Sequence, residues 1–135
     1  MNDHADFSPK EYQQRLSKLR GLMAERGIDA VLVTTEANHR YFTGHVTHRW
    51  MHPNTAMFTL LPLEGEPLLI VPPQEACMCE EDSWIKSIRT FPLEHILQGV
   101  TDAVHELGLK EGRIGTELGG IVPLRMPCED FDQLR

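Results

Sequence analysis

Cysteine is scarce in this sequence: three in 135 residues. An odd count without disulfide-framework spacing predicts a reducing cytoplasm. Long apolar runs are missing too. No stretch approaches the roughly 18 residues a membrane helix needs, so no transmembrane segment is expected. The first thirty residues carry Asp3, Asp6, Glu11 and Glu25 and lack a continuous apolar core, which excludes a signal peptide. Basic charge is short: 13 Lys and Arg stand against 20 Asp and Glu, a net charge of -7. There is no Lys/Arg stripe with interleaved aromatics, and nucleic acid is excluded as a partner.

What is present is ordinary for one soluble domain: 41% apolar and 24% charged residues. The charge is unevenly spread. Residues 1–54 sum to +1 and residues 55–135 to -8. Five of the seven histidines, His4, His39, His45, His48 and His52, lie in the first part. That segment is the one place where charge would attract an anion.

Residues 1–7 read as a flexible tail, and residues 8–135 as the domain. Ser8-Pro9-Lys10-Glu11 predicts a helix start with a capping box. Tyr12, Leu16, Leu19 and Met23 then form one apolar stripe, and Gly27 is a natural stop. Ala30-Val31-Leu32-Val33 reads as a strand buried on both faces. Thr35 to Phe42 reads as a loop with a short helical turn, closed by Thr43-Gly44. Residues 45–54 look irregular. Ala56–Leu61 and Leu68–Val71 flank the turn Glu64-Gly65-Glu66 as a β-hairpin. A short helix over Gln74–Glu81, a strand over Trp84–Phe91 and a helix over Leu93–Leu107 follow. A strand over Arg113–Leu118, a turn at Gly119-Gly120 and a last helix opened by Pro127 complete the order. The prediction is an α/β fold with three α/β/α layers on a mixed sheet, since a hairpin requires an antiparallel pair. A layered domain normally adds a strand after its last helix, so the sequence is expected to stop before one.

Most chemical motifs fail on spacing. His105-Glu106 lacks a second histidine four residues on, where Leu109 stands. Cys77 and Cys79 have no second cysteine pair to complete a zinc site. Gly115, Gly119 and Gly120 do not have the spacing of a phosphate cradle. His45, His48 and His52 remain, with Arg49 and Trp50 between them. Three readings stay open for this loop: a zinc site on one helical face, an uncommitted exposed loop, or a basic and aromatic surface that touches a substrate or partner.

Residues 8–44 carry a pattern of the form E-Y-x-x-R-L-x-x-L-R-x-x-M, then G-I-D-A-V-L-V, then N-x-R-Y-x-T-G. Leu68-Leu69-Ile70-Val71-Pro72 with Glu75-Ala76, and Arg113-Ile114-Gly115-Thr116-Glu117, follow in order. Together they resemble the creatinase/prolidase amino-terminal domain of Xaa-Pro aminopeptidases, Xaa-Pro dipeptidases and creatinase. The resemblance implies a ribonuclease H-like motif fold without ribonuclease H chemistry. It implies no catalytic residue, metal or cofactor in this chain. Catalysis, with two divalent metals, would belong to a pita-bread domain carboxy-terminal to it and absent from these 135 residues. The implied partners are that catalytic domain, a second copy in a homodimer, and a small peptide or other small-molecule substrate.

Asn38, Tyr41, Thr43 and Gly44 would be structural. Asn38 would cap the turn, Tyr41 and Phe42 would pack on the sheet edge, and Gly44 would let the chain reverse. The loop after Thr43-Gly44 is one place from which relatives lend residues to an active-site mouth. His45, His48, Arg49, Trp50 and His52 are therefore the candidate gating residues. They are expected on an exposed loop, with Arg49 suited to a substrate carboxylate. The parent enzyme is expected to be an Xaa-Pro peptidase. The alternatives are a creatinase-like or other non-peptidase member, and a self-standing binding module that uses His45, His48 and His52.

Overall fold

The computed structural model describes residues 6–121 and 124–135. Most of the expected tail, residues 1–5, lies outside the described residues. Asp6 and Phe7 are held in place. The Asp6 carboxylate accepts from Arg40 Nε at 3.0 Å, and the Phe7 ring lies 4.3 Å from the Arg15 guanidinium carbon.

Helix α1 spans Pro9–Arg26. Ser8 Oγ accepts from the Glu11 N–H, and Gly27, at φ 62°, closes the far end. Only this half of the expected capping box forms, because the Glu11 carboxylate is drawn to Arg15 one turn on. Tyr12, Leu16 and Met23 are buried. The chain then enters β1 (Ala30–Val33), α2 (Glu36–Thr43), a 3-10 turn (His48–Met51), β2 (Phe58–Pro62) and β3 (Leu68–Val71). It continues through α3 (Pro73–Asp82), β4 (Ile88–Thr90), a second 3-10 turn (Leu93–His95), α4 (Ile96–Glu106), β5 (Ile114–Thr116) and α5 (Cys128–Leu134).

The five strands form one mixed sheet in the order β4-β3-β2-β1-β5. β2 runs antiparallel to both neighbours, with Val33 opposite Thr59 and Phe58 opposite Ile70. β5 runs parallel to β1, and β4 parallel to β3. Alternate residues divide between two cores, as the period of two requires. Ala30, Leu32, Phe58, Leu60, Leu68 and Ile70 pack under α4 and α5. Val33, Leu61, Leu69 and Val71 pack on the other face, toward α1, α3 and Trp50. Each such large side chain contributes roughly 1.5–3 kcal/mol on burial. The result is the α/β/α sandwich expected from the sequence.

Three of the departures from the expected elements have identifiable causes. The strand expected over Trp84–Phe91 is only Ile88–Thr90. Residues 83–85 are tied elsewhere: Ser83 Oγ donates to the Thr43 carbonyl, Trp84 Nε1 donates to the Phe42 carbonyl, and Ser83 Oγ accepts from the Ile85 N–H. The strand expected over Arg113–Leu118 ends at Thr116 because Glu117 turns toward α2. Asn38 is not a cap, since α2 starts two residues earlier, with Thr35 at the N-cap position.

The strand directions have one consequence for function. The carboxyl ends of β1, β3, β4 and β5 and the amino end of β2 share one rim. In open α/β sheets, the crevice outside the carboxyl ends of the strands is where ligands are bound.

Candidate functional site

Two carboxylates organise this rim. Glu117 follows β5 and reaches the start of α2. Its Oε2 accepts from Thr34 N at 2.5 Å, Thr34 Oγ1 at 2.8 Å and Thr35 N at 3.0 Å. Its Oε1 accepts from Thr35 Oγ1 at 2.5 Å and Asn38 Nδ2 at 2.6 Å. Thr35 offers no side-chain cap of its own, so Glu117 supplies the acceptor for these amides and favours the positive end of the α2 dipole. Burial pushes the Glu117 carboxyl up, but the hydrogen bonds from Thr35, Thr34 and Asn38 outweigh it and hold the group below its ordinary 4.5.

Next comes the Thr43-Gly44 corner. Thr43 is buried, and its Oγ1 accepts from the His45 N–H at 3.0 Å. Gly44 sits at φ 78°, and a Cβ there would lie 2.9 Å from the Tyr12 ring. Only glycine meets both conditions without strain. Tyr41 departs from expectation. It is 47% exposed and lies 4.4 Å from the Arg15 guanidinium carbon, not on the sheet edge. The reason is that Arg15 donates to the Tyr41 carbonyl and draws this end of α2 onto α1.

Glu75, in the first turn of α3, organises the other half of the rim. It is 4% exposed. Its Oε1 accepts from Arg49 Nε at 2.6 Å, and its Oε2 lies 3.3 Å from His45 Nε2. Burial pushes the Glu75 carboxyl up, but hydrogen bonds from Arg49 and Thr47 and the charges of Arg49 and His45 hold it below its ordinary 4.5. His45 Nδ1 lies 3.7 Å from Asp82 Oδ2, at the last residue of α3. His39, fully buried on α2, shares a 2.9 Å hydrogen bond between its Nδ1 and the Thr59 hydroxyl. Its ring stands edge-on to His45 and to Trp50, with centroids 5.6 and 5.5 Å away. Burial, with the neighbouring His45, pushes His39 down to about 3, so it is neutral at physiological pH.

The five candidate gating residues therefore divide. His45 (1% exposed) and Trp50 (4%) are core, against the expectation of an exposed loop. Trp50 joins the apolar cluster of Met57, Leu69, Val71, Cys79 and Ile85. Arg49 is half-buried, while His48 and His52 are exposed. His45, His48 and His52 do not converge, because an extended Thr47 separates His45 from a single 3-10 turn. Among the described residues no group of three or more His, Cys, Asp or Glu could hold a metal ion. The structure gives the zinc reading of these histidines no converging ligand set.

Sequence reasoning assigned no role to Glu75, Asp82, His39 or Glu117. The available signals were an acid directly after a short strand, at Glu117, and an acid in the first turn after Pro72-Pro73, at Glu75. Beside the loop, on the α4/α5 side, Pro53, Ala56, Leu93, Ile96, Leu124 and Met126 line an open groove of about 670 Å³. No helix of the described residues is long and apolar enough to cross a membrane.

Comparison with known proteins agrees with this fold. The ectoine hydrolase of Halomonas elongata is 27% identical over 125 residues, 83% of this chain and 30% of that protein. A dipeptidase from Mycobacterium ulcerans superposes with a TM-score of 0.71 at 20% identity, over 95% of this chain and 33% of that one. An Xaa-Pro aminopeptidase structure from Streptococcus pyogenes gives 0.69 at 19% identity, over 95% of this chain and 85% of that one. The chain thus spans about a third of the length of the curated relative and of the dipeptidase. Residues 15–134 match the model of the Creatinase/Prolidase N-terminal domain, and the chain belongs to that family.

Proposed function

We propose that this chain is the non-catalytic amino-terminal domain of a cytoplasmic pita-bread metallohydrolase of the Xaa-Pro peptidase kind, serving dimerisation and active-site gating. The observation that carries the reading is the family match over residues 15–134, in a chain a third the length of a dipeptidase of the same fold. On this reading the divalent metals and the hydrolytic chemistry belong to a following catalytic domain. This domain contributes a rigid rim. Trp50, His45 and Glu75 anchor the 46–52 segment from below, and His48, Arg49, Met51 and His52 form its outer surface. Arg49 uses one N–H on Glu75. Its other four make no hydrogen bond among the described residues, which leaves a planar cation for a substrate carboxylate.

A second reading has its own support. The ectoine hydrolase relative is named for a substrate that is not a peptide, so a creatinase-like, non-peptidase member is the alternative. One experiment separates them. The longer protein, purified with its metals, is assayed on Xaa-Pro dipeptides, on Xaa-Pro tripeptides and on ectoine. Turnover of the proline peptides supports the first reading; turnover of ectoine alone supports the second. In the active assay, Arg49→Ala should lower kcat/KM by roughly tenfold or more, the scale of one charge-assisted contact. Unchanged kinetics in a folded variant would remove Arg49 from the active-site mouth.

A further inference from the structure

Among the described residues the sheet ends in two outer strands, β4 and β5, and their open sides are not alike. β4 carries Arg89 at its centre, exposed and paired with Glu106 of α4. A charge at that place guards an edge against pairing with another chain. β5, Ile114-Gly115-Thr116, carries no charge and no proline. Ile114 and, just past the strand, Leu118 are exposed. The direction of the β5 backbone groups follows from its inner side. The Arg113 carbonyl accepts from the Asp29 N–H at 2.8 Å, toward β1. Backbone groups alternate sides along a strand, so Gly115 also faces β1, and the N–H and C=O of Ile114 and of Thr116 face outward. No strand among the described residues takes them.

We propose that β5 is a pairing edge for a second copy of this chain, in an antiparallel, two-fold arrangement centred on Gly115. The outward groups set that register. With Ile114 opposite the partner's Thr116, and Thr116 opposite the partner's Ile114, every outward N–H and C=O of the strand is used. A two-fold centre at Ile114 or at Thr116 would use only half of them. Gly115 then meets the partner's Gly115 on the axis, where antiparallel Cα atoms come within about 4.5 Å. Neither copy has a side chain there to obstruct the approach. Two residues farther out, Arg113 comes opposite the partner's Glu117. Arg113 is exposed and its guanidinium makes no hydrogen bond among the described residues. Glu117 keeps its negative charge, because its donors are all neutral. One register thus satisfies the open backbone and sets opposite charges across from each other. The inference names a surface for the dimerisation proposed above and rests on that reading.

Sedimentation velocity of the 135-residue chain, from about 10 μM to about 1 mM, tests this. A reversible dimer should form. Ile114→Lys, which copies the charged guard of β4, should weaken it by about tenfold or more. Arg89→Ala, at the opposite edge, should leave it unchanged. Gly115→Cys in a Cys77→Ser/Cys128→Ser background reads the register. A Cβ at position 115 meets only Ile28 and Val31 side-chain atoms, the nearest at 3.7 Å, so the variant should fold. Mild oxidation should then link two copies through position 115. Should Ile114→Lys fail to fold, Gly115→Cys decides alone. A monomer across the whole range, a dimer that Ile114→Lys does not weaken, or a failure to form the disulfide at position 115 would overturn the pairing. So would a longer protein that is monomeric with the Ile114 and Thr116 amides protected from exchange, since another strand of the same chain would then hold the edge. A longer protein that dimerises with indifference to Ile114→Lys would remove this surface and leave the dimerisation reading standing.

Discussion

The two carboxylates on the rim do similar geometric work with different partners. Glu117 is met by backbone amides, hydroxyls and one side-chain amide, all neutral and all from the end of β1 and the start of α2. Glu75 is met by a guanidinium and an imidazole that arrive on a loop. The first set has no titratable donor, so it stays closed until the carboxylate itself is protonated. The second rests on a half-buried guanidinium and leaves His45 Nδ1 without a hydrogen bond. One corner is closed by neutral donors, the other by a guanidinium that reaches solvent.

The largest effect should come from the core beneath the Glu75 corner. Trp50→Ala empties a site under β3 and α3 and should cost about 3–5 kcal/mol in urea denaturation. A cost below about 0.5 kcal/mol would return Trp50 to the surface role expected from sequence. Next, Glu117→Ala strands the Thr34 and Thr35 amides and should cost on the order of 2–4 kcal/mol of global stability. Glu75→Gln should cost less, about 1–2 kcal/mol, since Arg49 is one-third exposed and water can serve it. Its signature should be local: faster exchange at 46–52 with the sheet amides protected. Equal global losses, without local opening for Glu75→Gln, would dissolve the contrast between the corners.

Acid separates them further. His39 is neutral in the fold, at about 3 against an ordinary 6.5. Its contribution is complete above pH 6.5 and is lost as pH falls toward 3, because the unfolded chain binds the proton first. Glu117 and Glu75 lie below their ordinary 4.5, so their contributions persist above that pH and are lost only below it. Stability of the wild type should therefore decline between pH 6.5 and 4.5, and His39→Gln should flatten this decline. A Glu117→Gln variant should flatten only the part below 4.5. Denaturant midpoints at pH 7, 5 and 4 read both. An undiminished slope in His39→Gln would mean that the imidazole is not the group responsible.

The sheet was legible in the sequence because short continuous apolar runs and glycine stops are local signals. Leu32, Phe58 and Ile70 fall on one face and Val33, Leu69 and Val71 on the other by period alone. The rim was not legible, because its bonds join residues far apart in the chain. Asn38 looks like a cap until Glu117, 79 positions on, takes its amide. His45 and Trp50 look like loop residues beside Gly44 and Pro53. Their burial is decided by α3, which no local pattern connects to them. Polar residues at a strand end carry no period, so composition cannot tell a solvated loop from one pinned by a buried carboxylate.

The smallest expected effect is the most informative about function. His48 and His52 share the loop with His45 but are exposed, and neither makes a hydrogen bond among the described side chains. His48→Ala and His52→Ala should each change stability by less than about 0.5 kcal/mol, as exposed substitutions do. The double variant should keep the exchange profile of residues 46–52, since the anchors at His45, Glu75 and Trp50 are untouched. If, as proposed, the chain belongs to a longer enzyme and the rim forms the mouth of its active site, the same double variant should alter KM there. A free-standing loop would lose neither stability nor affinity. A loss of stability beyond 1 kcal/mol would instead show that these histidines belong to the buried cluster, and that the division between a fixed anchor and a free outer surface is drawn in the wrong place.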